Sequence, residues 1–444
     1  MGMAEMARDA GVIGAGGAGF PTHVKLENPV DTVIVNGAEC EPMMHGDQQV
    51  MESRTADMLG ALRAIAAEFE DKRKDKVRAI VGVKKKYKKA IEAIREKIAP
   101  DGGVEILELP NVYPAGDEQF LVYEATGRIV PEGGIPPMVS ALVVNAGTLV
   151  HLSDAMRGRP VTERMMTIGG EVDAPQVVSV PIGTPLSEIV PKLGPKVADY
   201  VILVNGPMMG RITENMDEVT TKTMGGLFVL PKKHSHVSRM RRPLSTEIRL
   251  SKAACEVCRY CTDFCPRFLQ GHALEPHKVM RVINYDRDLD TKTITSAWLC
   301  CECGACDLWA CPMFLSPRVI FRQFKQKLKE AGIKNPNNRR ELEIDPMRKF
   351  RGIPAERLTT RLGLSEYDIR PPYAEAVWQT LRVKISLNQH VGAPARPAVA
   401  AGDTVEKGQL IADIPEGQLG AAYHASIAGR VSVVKDNYIE IKND

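Results

Sequence analysis

The alternation of apolar and polar positions divides the chain into regions with different periods. In the first third, short apolar runs at 32–36 and 77–83 alternate with helix-like segments at 47–70 and 86–98. Buried strands interleaved with helices of 3.6-residue period are typical of α/β domains. The pattern therefore predicts an α/β domain over residues 1–155.

A run of lysines lies between the second apolar run and the helical segment that follows it. The run straddles a strand end and the polar face of a helix, so the pattern favours a solvated surface over a phosphate site. Its members are Lys84, Lys85, Lys86, Lys88 and Lys89.

The middle of the chain has a different pattern. Within 156–230, short strands are broken by Gly and Pro, with one helical segment at 186–193, which predicts a small sheet packed on a helix. The basic stretch 231–245 is predicted to be a linker, and so is the polar segment 336–380. Helical stretches such as 317–331 surround the cysteine-rich region between them.

The carboxyl-terminal segment, residues 381–444, is all-β in pattern. Gly-Asp and Gly-Arg turn signals separate short apolar strands, which predicts a small flattened barrel with two related halves. Biotinyl and lipoyl domains share this pattern but present a lysine at the hairpin between the halves. Residues 412–424 contain no lysine, so we do not expect a covalent swinging-arm role.

Composition sets limits on the class of protein. A length of 444 residues suits roughly three domains at about 100–200 residues each. Hydrophobic residues make up 44% and charged residues 25%, and the net charge of +3 does not indicate a nucleic-acid partner. Because there is no long apolar run and no secretory pattern at the amino terminus, we expect no transmembrane segment and a cytoplasmic location.

Nine of the ten cysteines fall between Cys255 and Cys311, in two runs that each end in Cys-Pro. Three thiolates at i, i+3 and i+6 can hold one iron–sulfur cube, and the fourth usually binds the other cube in two-cluster proteins. The spacing predicts two [4Fe-4S] clusters. The predicted ligands are Cys255, Cys258, Cys261, Cys265, Cys300, Cys303, Cys306 and Cys311.

If the fourth cysteines cross over, Cys311 completes the first cluster and Cys265 completes the second. Cys301 is predicted to be a bystander, and Cys40 a small buried thiol. Structural zinc sites use separated cysteine pairs, so the third cysteine of each run favours clusters over zinc, and a disulfide framework is less favoured still.

The glycine-rich segment 14–19 formally satisfies G-x-G-x-x-G, with Glu39 about 20 residues beyond it. A Rossmann loop follows a buried strand, whereas residues 4–9 are polar and helix-like and Pro21 follows the last glycine. We therefore predict a loop whose backbone N–H groups approach an anion or ring, rather than a Rossmann fingerprint.

Four segments in order carry a family resemblance: GAGGAGFPTHVKL (14–26), VNGAECEP (35–42), YPAGDEQ (113–119) and VVNAGTL (143–149). They resemble the flavin-binding motifs of the NADH-binding flavoprotein of respiratory complex I and of the RnfC protein of Rnf complexes. The resemblance implies FMN held by Gly16, Gly17, Gly19, Lys25, Asn36 and Asn145. It implies the nicotinamide nucleotide near Glu39, Asp117 and Glu118. Ala38 replaces an aspartate of the family.

Across the whole chain, the domain order resembles that of RnfC-like reductases of bacterial microcompartments. This implies a multidomain α/β and α+β protein with a complex-I-flavoprotein-like domain, a soluble-ligand-binding β-grasp domain at 156–230, a helical two-cluster ferredoxin-like domain at 245–335 and a barrel-sandwich hybrid at 381–444. It also implies NADH-dependent reduction of cobalamin, from cob(III)alamin towards cob(I)alamin, for 1,2-propanediol degradation. Cobalamin adenosyltransferase and microcompartment shell proteins are the implied partners.

Two other functions stay open at this point: an electron-transfer component of an Rnf-type membrane complex, and a non-enzymatic module that binds a corrin or a metabolite. No catalytic residue is predicted, because hydride transfer needs no acid–base group. His151 and His390 could bind cobalt, but the structural interpretation is favoured for both histidines.

Overall fold

The computed structural model describes residues 1–98, 102–285 and 290–443. Its amino-terminal domain is built on a four-stranded parallel sheet in the order β3-β2-β1-β5. The strands of this sheet are β1 (Thr32–Gly37), β2 (Arg78–Lys84), β3 (Glu105–Leu109) and β5 (Ala141–Asn145), and the short strand β4 (Val112–Tyr113) lies outside it. The helices are α1 (Met3–Asp9), α2 (Thr22–Leu26), α3 (Gly46–Ser53), α4 (Thr55–Arg73), α5 (Lys88–Lys97), α6 (Glu118–Thr126) and α7 (Ala146–Ala155).

Strand β1 shows why the sheet is covered on both faces. Val33 and Val35 belong to a core shared with α4 and α7, whereas Ile34 faces a second core that contains Leu121 and Val122 of α6. A continuous apolar run is what a parallel strand needs when helices cover both sides. The predicted α/β class is confirmed.

Two details of this domain differ from the sequence-based expectation. The single helix expected over 47–70 is two helices, broken at Arg54, whose φ of −124° and ψ of 30° are not helical. The Arg54 side chain forms ion pairs with Asp57 and Asp154 at the break.

The lysine run was predicted to be a solvated surface, and this was wrong for its first member. Lys84 is 2% exposed and donates from Nζ to the carbonyl oxygen of Glu39 at 3.0 Å. The other four lysines are exposed, as expected. The carbonyl of Glu39, two residues beyond the end of β1, decides the environment of Lys84, and the local sequence does not reveal it.

The second domain is a six-stranded sheet in the order β12-β7-β6-β10-β8-β9 that packs on a short helix, α8 (Leu186–Ile189). Its edge strand β12 (Tyr373–Ala374) comes from a later segment of the chain. Its own strands are β6 (Glu163–Gly170), β7 (Gln176–Pro181), β8 (Tyr200–Val204), β9 (Arg211–Thr213) and β10 (Gly226–Pro231). The β6–β10 pair is parallel, and β6–β7 and β8–β10 are antiparallel. The predicted small sheet on a helix is confirmed.

The cysteine-rich region is helical. Its helices are α9 (Ser235–Met240), α10 (Leu244–Ala254), α11 (Tyr260–Asp263), α12 (Pro266–Leu269), α13 (Pro276–Tyr285), α14 (Thr291–Thr295) and α15 (Pro317–Glu330). Its core includes Leu274, Val279, Leu299 and Phe321. None of the described helices is long and apolar enough to cross a membrane.

The two segments predicted to be linkers are packed connections. Helix α9 lies within 231–245 and buries His236 and Val237. Residues 336–380 contain β11 (Ile353–Pro354), α16 (Ala355–Leu362) and β12 (Tyr373–Ala374). Strand β11 pairs with β4 and β12 pairs with β7, so this segment joins two domains through backbone hydrogen bonds.

The carboxyl-terminal segment is all-β, as predicted, and forms two small sheets in the orders β13-β19-β18-β15 and β14-β16-β17. The strands are β13 (Arg382–Ser386), β14 (Arg396–Pro397), β15 (Thr404–Val405), β16 (Leu410–Asp413), β17 (Tyr423–His424), β18 (Gly429–Lys435) and β19 (Tyr438–Lys442). Residues of this barrel, such as Val383 and Ile385, share one apolar core with the amino-terminal domain.

A buried lysine ties these two ends of the chain together. Lys222 is 2% exposed, and its Nζ donates to the carbonyl oxygens of Gly11 and Ala422, each at 2.7 Å. The same atom lies 4.5 Å from the centre of the Tyr423 ring. Burial lowers the pKa of Lys222 to about 7.

Replacing Lys222 by methionine is expected to destabilise the protein by about 2–6 kcal/mol, because each of two buried carbonyl groups loses its donor at roughly 1–3 kcal/mol apiece. Urea unfolding of the purified full chain measures the change. Lys233→Met, at an exposed site, is the control and should change the free energy of unfolding by less than about 0.5 kcal/mol. Equal effects of the two substitutions would contradict this role of Lys222.

Candidate functional site

The glycine-rich loop lies beside the carboxyl-terminal ends of β1 and β5. Helix α1 precedes it, in agreement with the argument against a Rossmann loop. The loop is closed by hydrogen bonds from Gly14 N to the Phe20 carbonyl at 2.8 Å and from Ala15 N to Thr148 Oγ1 at 2.9 Å. The first helical turn of α7 therefore fixes the position of the loop.

The predicted glycines have different surroundings. At Gly17, with φ of 111°, a Cβ atom would meet nothing within 4 Å, so the backbone there faces open space. At Gly19, with φ of 65°, a Cβ would lie 2.9 Å from Thr223 Cγ2 and 3.0 Å from the carbonyl oxygen of Gln389. Gly17 thus leaves room for a ligand, whereas Gly19 is required by packing.

Asn36 and Asn145 are register partners at the ends of β1 and β5. Asn36 donates from Nδ2 to the Gly116 carbonyl at 2.8 Å, and its Oδ1 accepts from Ala38 N at 3.2 Å. Asn145 caps α7 by accepting from Gly147 N at 2.9 Å. Asn145 also lies next to the glycine loop, since a Cβ added at Gly16 would be 3.8 Å from Asn145 Cβ.

Lys25 and Glu118 meet at the same edge. Lys25 Nζ lies 3.1 Å from Glu118 Oε1 and 3.3 Å from the carbonyl oxygen of Val143. Their side chains are 25% and 48% exposed, so both groups can be reached from solvent. The structure thus brings together Lys25, predicted to bind a phosphate, and Glu118, predicted to lie near the nucleotide. Both ligand roles stay predictions.

Glu39 lies beside a second buried carboxyl group. Its Oε2 accepts from the backbone N–H groups of Asp47 and Gln48, at 3.1 and 3.3 Å, at the start of α3. Burial, reinforced by the negative charge of Asp47, raises the pKa of Glu39 to about 8. Burial likewise raises the pKa of Asp47, opposed by the positive charge of Arg164.

Sequence reasoning missed Glu41, two residues further on. Its carboxylate accepts from the backbone N–H groups of Met208 and Met209, both at 2.9 Å, and burial raises its pKa to about 7. The sequence signal that could have identified it is the pair of acidic residues, Glu39 and Glu41, on either side of Cys40. Cys40 itself packs against an apolar core, and burial raises its pKa to about 11.

Asp117 was predicted to lie near the nucleotide, but the structure gives both of its carboxylate oxygens other partners. They accept from the Arg267 guanidinium at 2.7 and 2.8 Å, and Oδ1 also caps α6 through Gln119 N and Phe120 N. Burial would raise the pKa of Asp117, but the charge and hydrogen bonds of Arg267 hold it below its usual value. Asp117 thus joins the flavin-type domain to the cysteine-rich domain.

The cysteines form two groups around two separate cavities. Cys255, Cys258, Cys261 and Cys311 line the first. Cys265, Cys300, Cys303 and Cys306 line the second, with Cys301 at its wall. Each group takes three cysteines from one run and the fourth from the other, which is the crossed arrangement considered from the sequence.

The backbone around the two groups has matching turns. In each run, the second and fourth residues after the first cysteine have left-handed φ: 51° at Val257 and 72° at Arg259, then 58° at Glu302 and 77° at Gly304. Three of the four are not glycine, so the conformation costs roughly 1–3 kcal/mol at each. Such strain is found where a site needs side chains to converge.

The pKa values of the buried thiols are consistent with a bound metal cluster. Burial raises the pKa values of Cys265 and Cys306 well above the ordinary thiol value, and raises that of Cys261 to about 12. A thiolate in such a place needs a cationic partner, which bound iron supplies. In the described part of the chain, no three His, Cys, Asp or Glu side chains converge as they would around a single metal ion.

The two groups differ in their surroundings. The second lies against the amino-terminal domain, because Tyr113 OH donates to the carbonyl oxygen of Cys303 and Arg267, two residues after Cys265, pairs with Asp117. The first is more open, since Cys258 is exposed.

The two histidines considered as cobalt ligands have different environments. Both ring nitrogens of His390 are hydrogen-bonded, Nδ1 with Tyr423 OH at 2.6 Å and Nε2 with the Ala393 carbonyl oxygen at 3.0 Å. This supports the structural interpretation of His390. His151 instead lines a cavity.

The contribution of Glu39 to stability is expected to fall as pH rises from about 4.5 to 8. Its native pKa of about 8 lies above the unfolded value of about 4.5, so its contribution is fully present below pH 4.5 and is lost through pH 8. The free energy of unfolding of Glu39→Gln, measured relative to that of the unsubstituted protein, should therefore rise across pH 5–8. The exposed-site control Glu92→Gln should follow the unsubstituted protein, and an unchanged pH dependence in Glu39→Gln would contradict the assignment.

Comparison with known proteins gives three domain matches. Residues 7–154 match the Nuo51 FMN-binding domain, residues 254–316 a 4Fe-4S dicluster domain, and residues 375–444 the RnfC barrel sandwich hybrid domain. The predicted flavin, iron–sulfur and carboxyl-terminal barrel domains are therefore confirmed as domain types. FMN and iron–sulfur chemistry follow from the first two matches.

Full-length relatives are also found. The chain is 41% identical to the cobalamin reductase PduS of Citrobacter freundii and 40% identical to that of Salmonella typhimurium, in each case over 98% of this chain and 95% of the relative. A component of the proton-translocating ferredoxin:NAD(+) oxidoreductase complex of Clostridium ljungdahlii is 35% identical, over 60% of this chain and 56% of its own length. Together with the glycine loop and the two cysteine-lined cavities, these matches show that the chain belongs to the cobalamin reductase PduS family.

Proposed function

We propose that the protein is an NADH-dependent reductase that delivers single electrons to cobalamin, using FMN and two [4Fe-4S] clusters. The observation that carries the proposal is the pair of cavities, each lined by one of the two four-cysteine groups on matching backbone turns, with the second group held against a flavin-type domain. The relatives named cobalamin reductase support cobalamin as the acceptor.

FMN, when bound, accepts an electron pair as hydride and releases electrons singly, as a [4Fe-4S] cluster requires. The chain's own residues supply position and charge. Open space at Gly17 admits a ring or phosphate to the loop backbone, and Lys25 places a cation at the same edge. Asn36 and Asn145 fix the strand ends below it.

The nucleotide contacts are proposed from the resemblance, with Glu39 and Glu118 as the acids that face it. Glu118 is accessible, whereas Glu39 is half-buried and accepts hydrogen bonds from the start of α3. Asp117 acts in this proposal as a positioning residue, since Arg267 and the α6 cap use both of its oxygens. Both clusters are proposed to take crossed ligand sets, with Cys301 outside them.

We also propose a location inside a bacterial microcompartment, with shell proteins and cobalamin adenosyltransferase as partners, on family membership alone. An alternative function, electron transfer within an Rnf-type complex, is favoured by one observation. The barrel domain matches that of RnfC, and two further relatives are components of ferredoxin:NAD(+) oxidoreductase complexes. The matches to these two relatives span only 60% of this chain.

Anaerobically purified and reconstituted protein is expected to contain about eight iron and eight sulfide per chain, because each of two cubes holds four of each. One FMN per chain should bleach on addition of NADH. Iron, sulfide and zinc analysis with anaerobic absorption spectra makes the measurement. A stable content of two zinc ions without sulfide would refute the proposal.

The acceptor is tested with the same material. Steady oxidation of NADH by the isolated chain in the presence of hydroxocobalamin supports the reductase, whereas NADH bleaching without cobalamin reduction supports the Rnf-type alternative. Cys40→Ser removes a cysteine outside both groups and should keep the full iron content and the NADH response.

Replacing Cys258 by serine should remove one cluster, about four of eight iron atoms, and its EPR signal. Flavin bleaching by NADH should persist, because Cys258 lies in the exposed group, away from the glycine loop. Cys301→Ser is the matched control and should retain both EPR signals. Loss of iron in Cys301→Ser equal to that in Cys258→Ser would overturn the proposed ligand assignment.

A further inference from the structure

A polar cavity of about 470 Å³ lies where three domains meet. Helices α3 and α7 form one wall of the cavity, and residues 158–165, which lead into β6, form a second wall. The third wall is the turn at Lys407 and Gly408 of the carboxyl-terminal barrel. Its volume is within the range of small-molecule sites, roughly 300–1,000 Å³.

This cavity is separate from the sites already assigned. None of the nine residues predicted to bind FMN or the nucleotide lines it, and no cysteine does. The proposed reductase function therefore leaves it without a ligand.

The lining carries an excess of positive charge. Four cationic side chains face two acidic ones, Asp154 and Glu163, and the cationic residues are Arg54, Arg159, Arg164 and Lys407. Asp154 already pairs with Arg54 at 2.9 Å and with Arg159 at 2.5 Å, and Glu163 lies 3.7 Å from Lys407. Both acids of the lining are thus paired within it, and the charge of Arg164 is opposed by Asp47 and Glu39, which lie outside the lining.

Arg164 is the buried cation of the cavity. It is 5% exposed, and its Nε has no hydrogen-bond partner among the described residues. Its Nη2 donates to the carbonyl oxygen of Ala15 at 2.8 Å, so the same side chain touches the glycine loop. An unpartnered guanidinium donor in a buried site is costly unless a ligand or water accepts from it.

His151 lines the same cavity from the α7 wall. Burial, and then the positive charges of Arg164, Lys222 and Arg54, lower its pKa to about 3. The imidazole is therefore neutral and can donate one hydrogen bond. The cations that disfavour a charged imidazole would stabilise an anion in the same place.

We infer that this cavity binds a small oxyanion, the phosphate or carboxylate group of a metabolite, contacted by Arg164 and His151 at its base and by Arg159 and Lys407 at its mouth. A planar guanidinium matches the paired oxygens of either group. Arg159 and Lys407 are 58% and 48% exposed, which places them where an entering anion meets them first.

The test uses the full reconstituted chain and thermal unfolding at increasing concentrations of inorganic phosphate, of succinate, and of sodium chloride at matched ionic strength. A ligand that binds only the folded state raises the unfolding midpoint in a saturable way. We expect saturation with phosphate, with succinate or with both, beyond the effect of chloride. The stronger of the two identifies the group recognised. Equal effects of all three salts would overturn the inference.

Variants locate the site. Arg159→Gln and His151→Asn should each weaken the oxyanion effect at least fivefold, while Arg396→Gln, an exposed arginine of the barrel outside the cavity, should leave it unchanged. Phosphate bound at the glycine loop instead would give the same midpoint shift in His151→Asn as in the unsubstituted chain, and that result would also overturn the inference. Because the readout needs no NADH or cobalamin, it stands apart from a failure of the proposed reductase function.

Discussion

The buried ion pair between Arg267 and Asp117 is the interaction on which the arrangement of the site depends. Both oxygens of Asp117 meet the guanidinium, and the two side chains are 12% and 9% exposed for Asp117 and Arg267 respectively. Removing one partner of such a pair leaves an uncompensated charge, at about 3–5 kcal/mol. The pair joins the start of α6 to the second cysteine group, so the flavin-type domain and this cluster-type site are held in one fixed relation.

A second constraint comes from the thiols themselves. Eight cysteines are drawn into two cavities by backbone turns with left-handed residues, and burial raises the pKa of several of them. Without a cation such groups favour the neutral thiol, so the fold supplies the geometry and bound iron supplies the charge. The second group is enclosed against the amino-terminal domain, whereas the first is open at Cys258. One group therefore faces the flavin-type domain and the other faces solvent.

Buried polar side chains also connect separate segments of the chain elsewhere in the structure. Lys222 connects the amino-terminal domain to the barrel through two carbonyl groups, and Lys84 holds the carbonyl of Glu39 behind β2. Arg164 links the glycine loop to the cavity between three domains. In each case a long cationic side chain satisfies backbone groups at a junction that apolar packing alone would leave unpaired. The same residues set the electrostatic character of the cavities beside them.

The sequence alone was enough to predict the element types, the two cysteine groups and the glycine loop. These features depend on hydrophobic period, metal-ligand spacing and glycine content, which are local properties of the chain. Strands β1 and β2 and the helix at 317–331 were predicted nearly to the residue. Local pattern did not reveal that Lys84 is buried, that the helix near residue 54 is broken, or that Asp117 pairs with Arg267, 150 positions away. Those outcomes depend on which groups distant segments bring together, since the partner of a buried charge is set by the packing of domains and not by its neighbours in sequence.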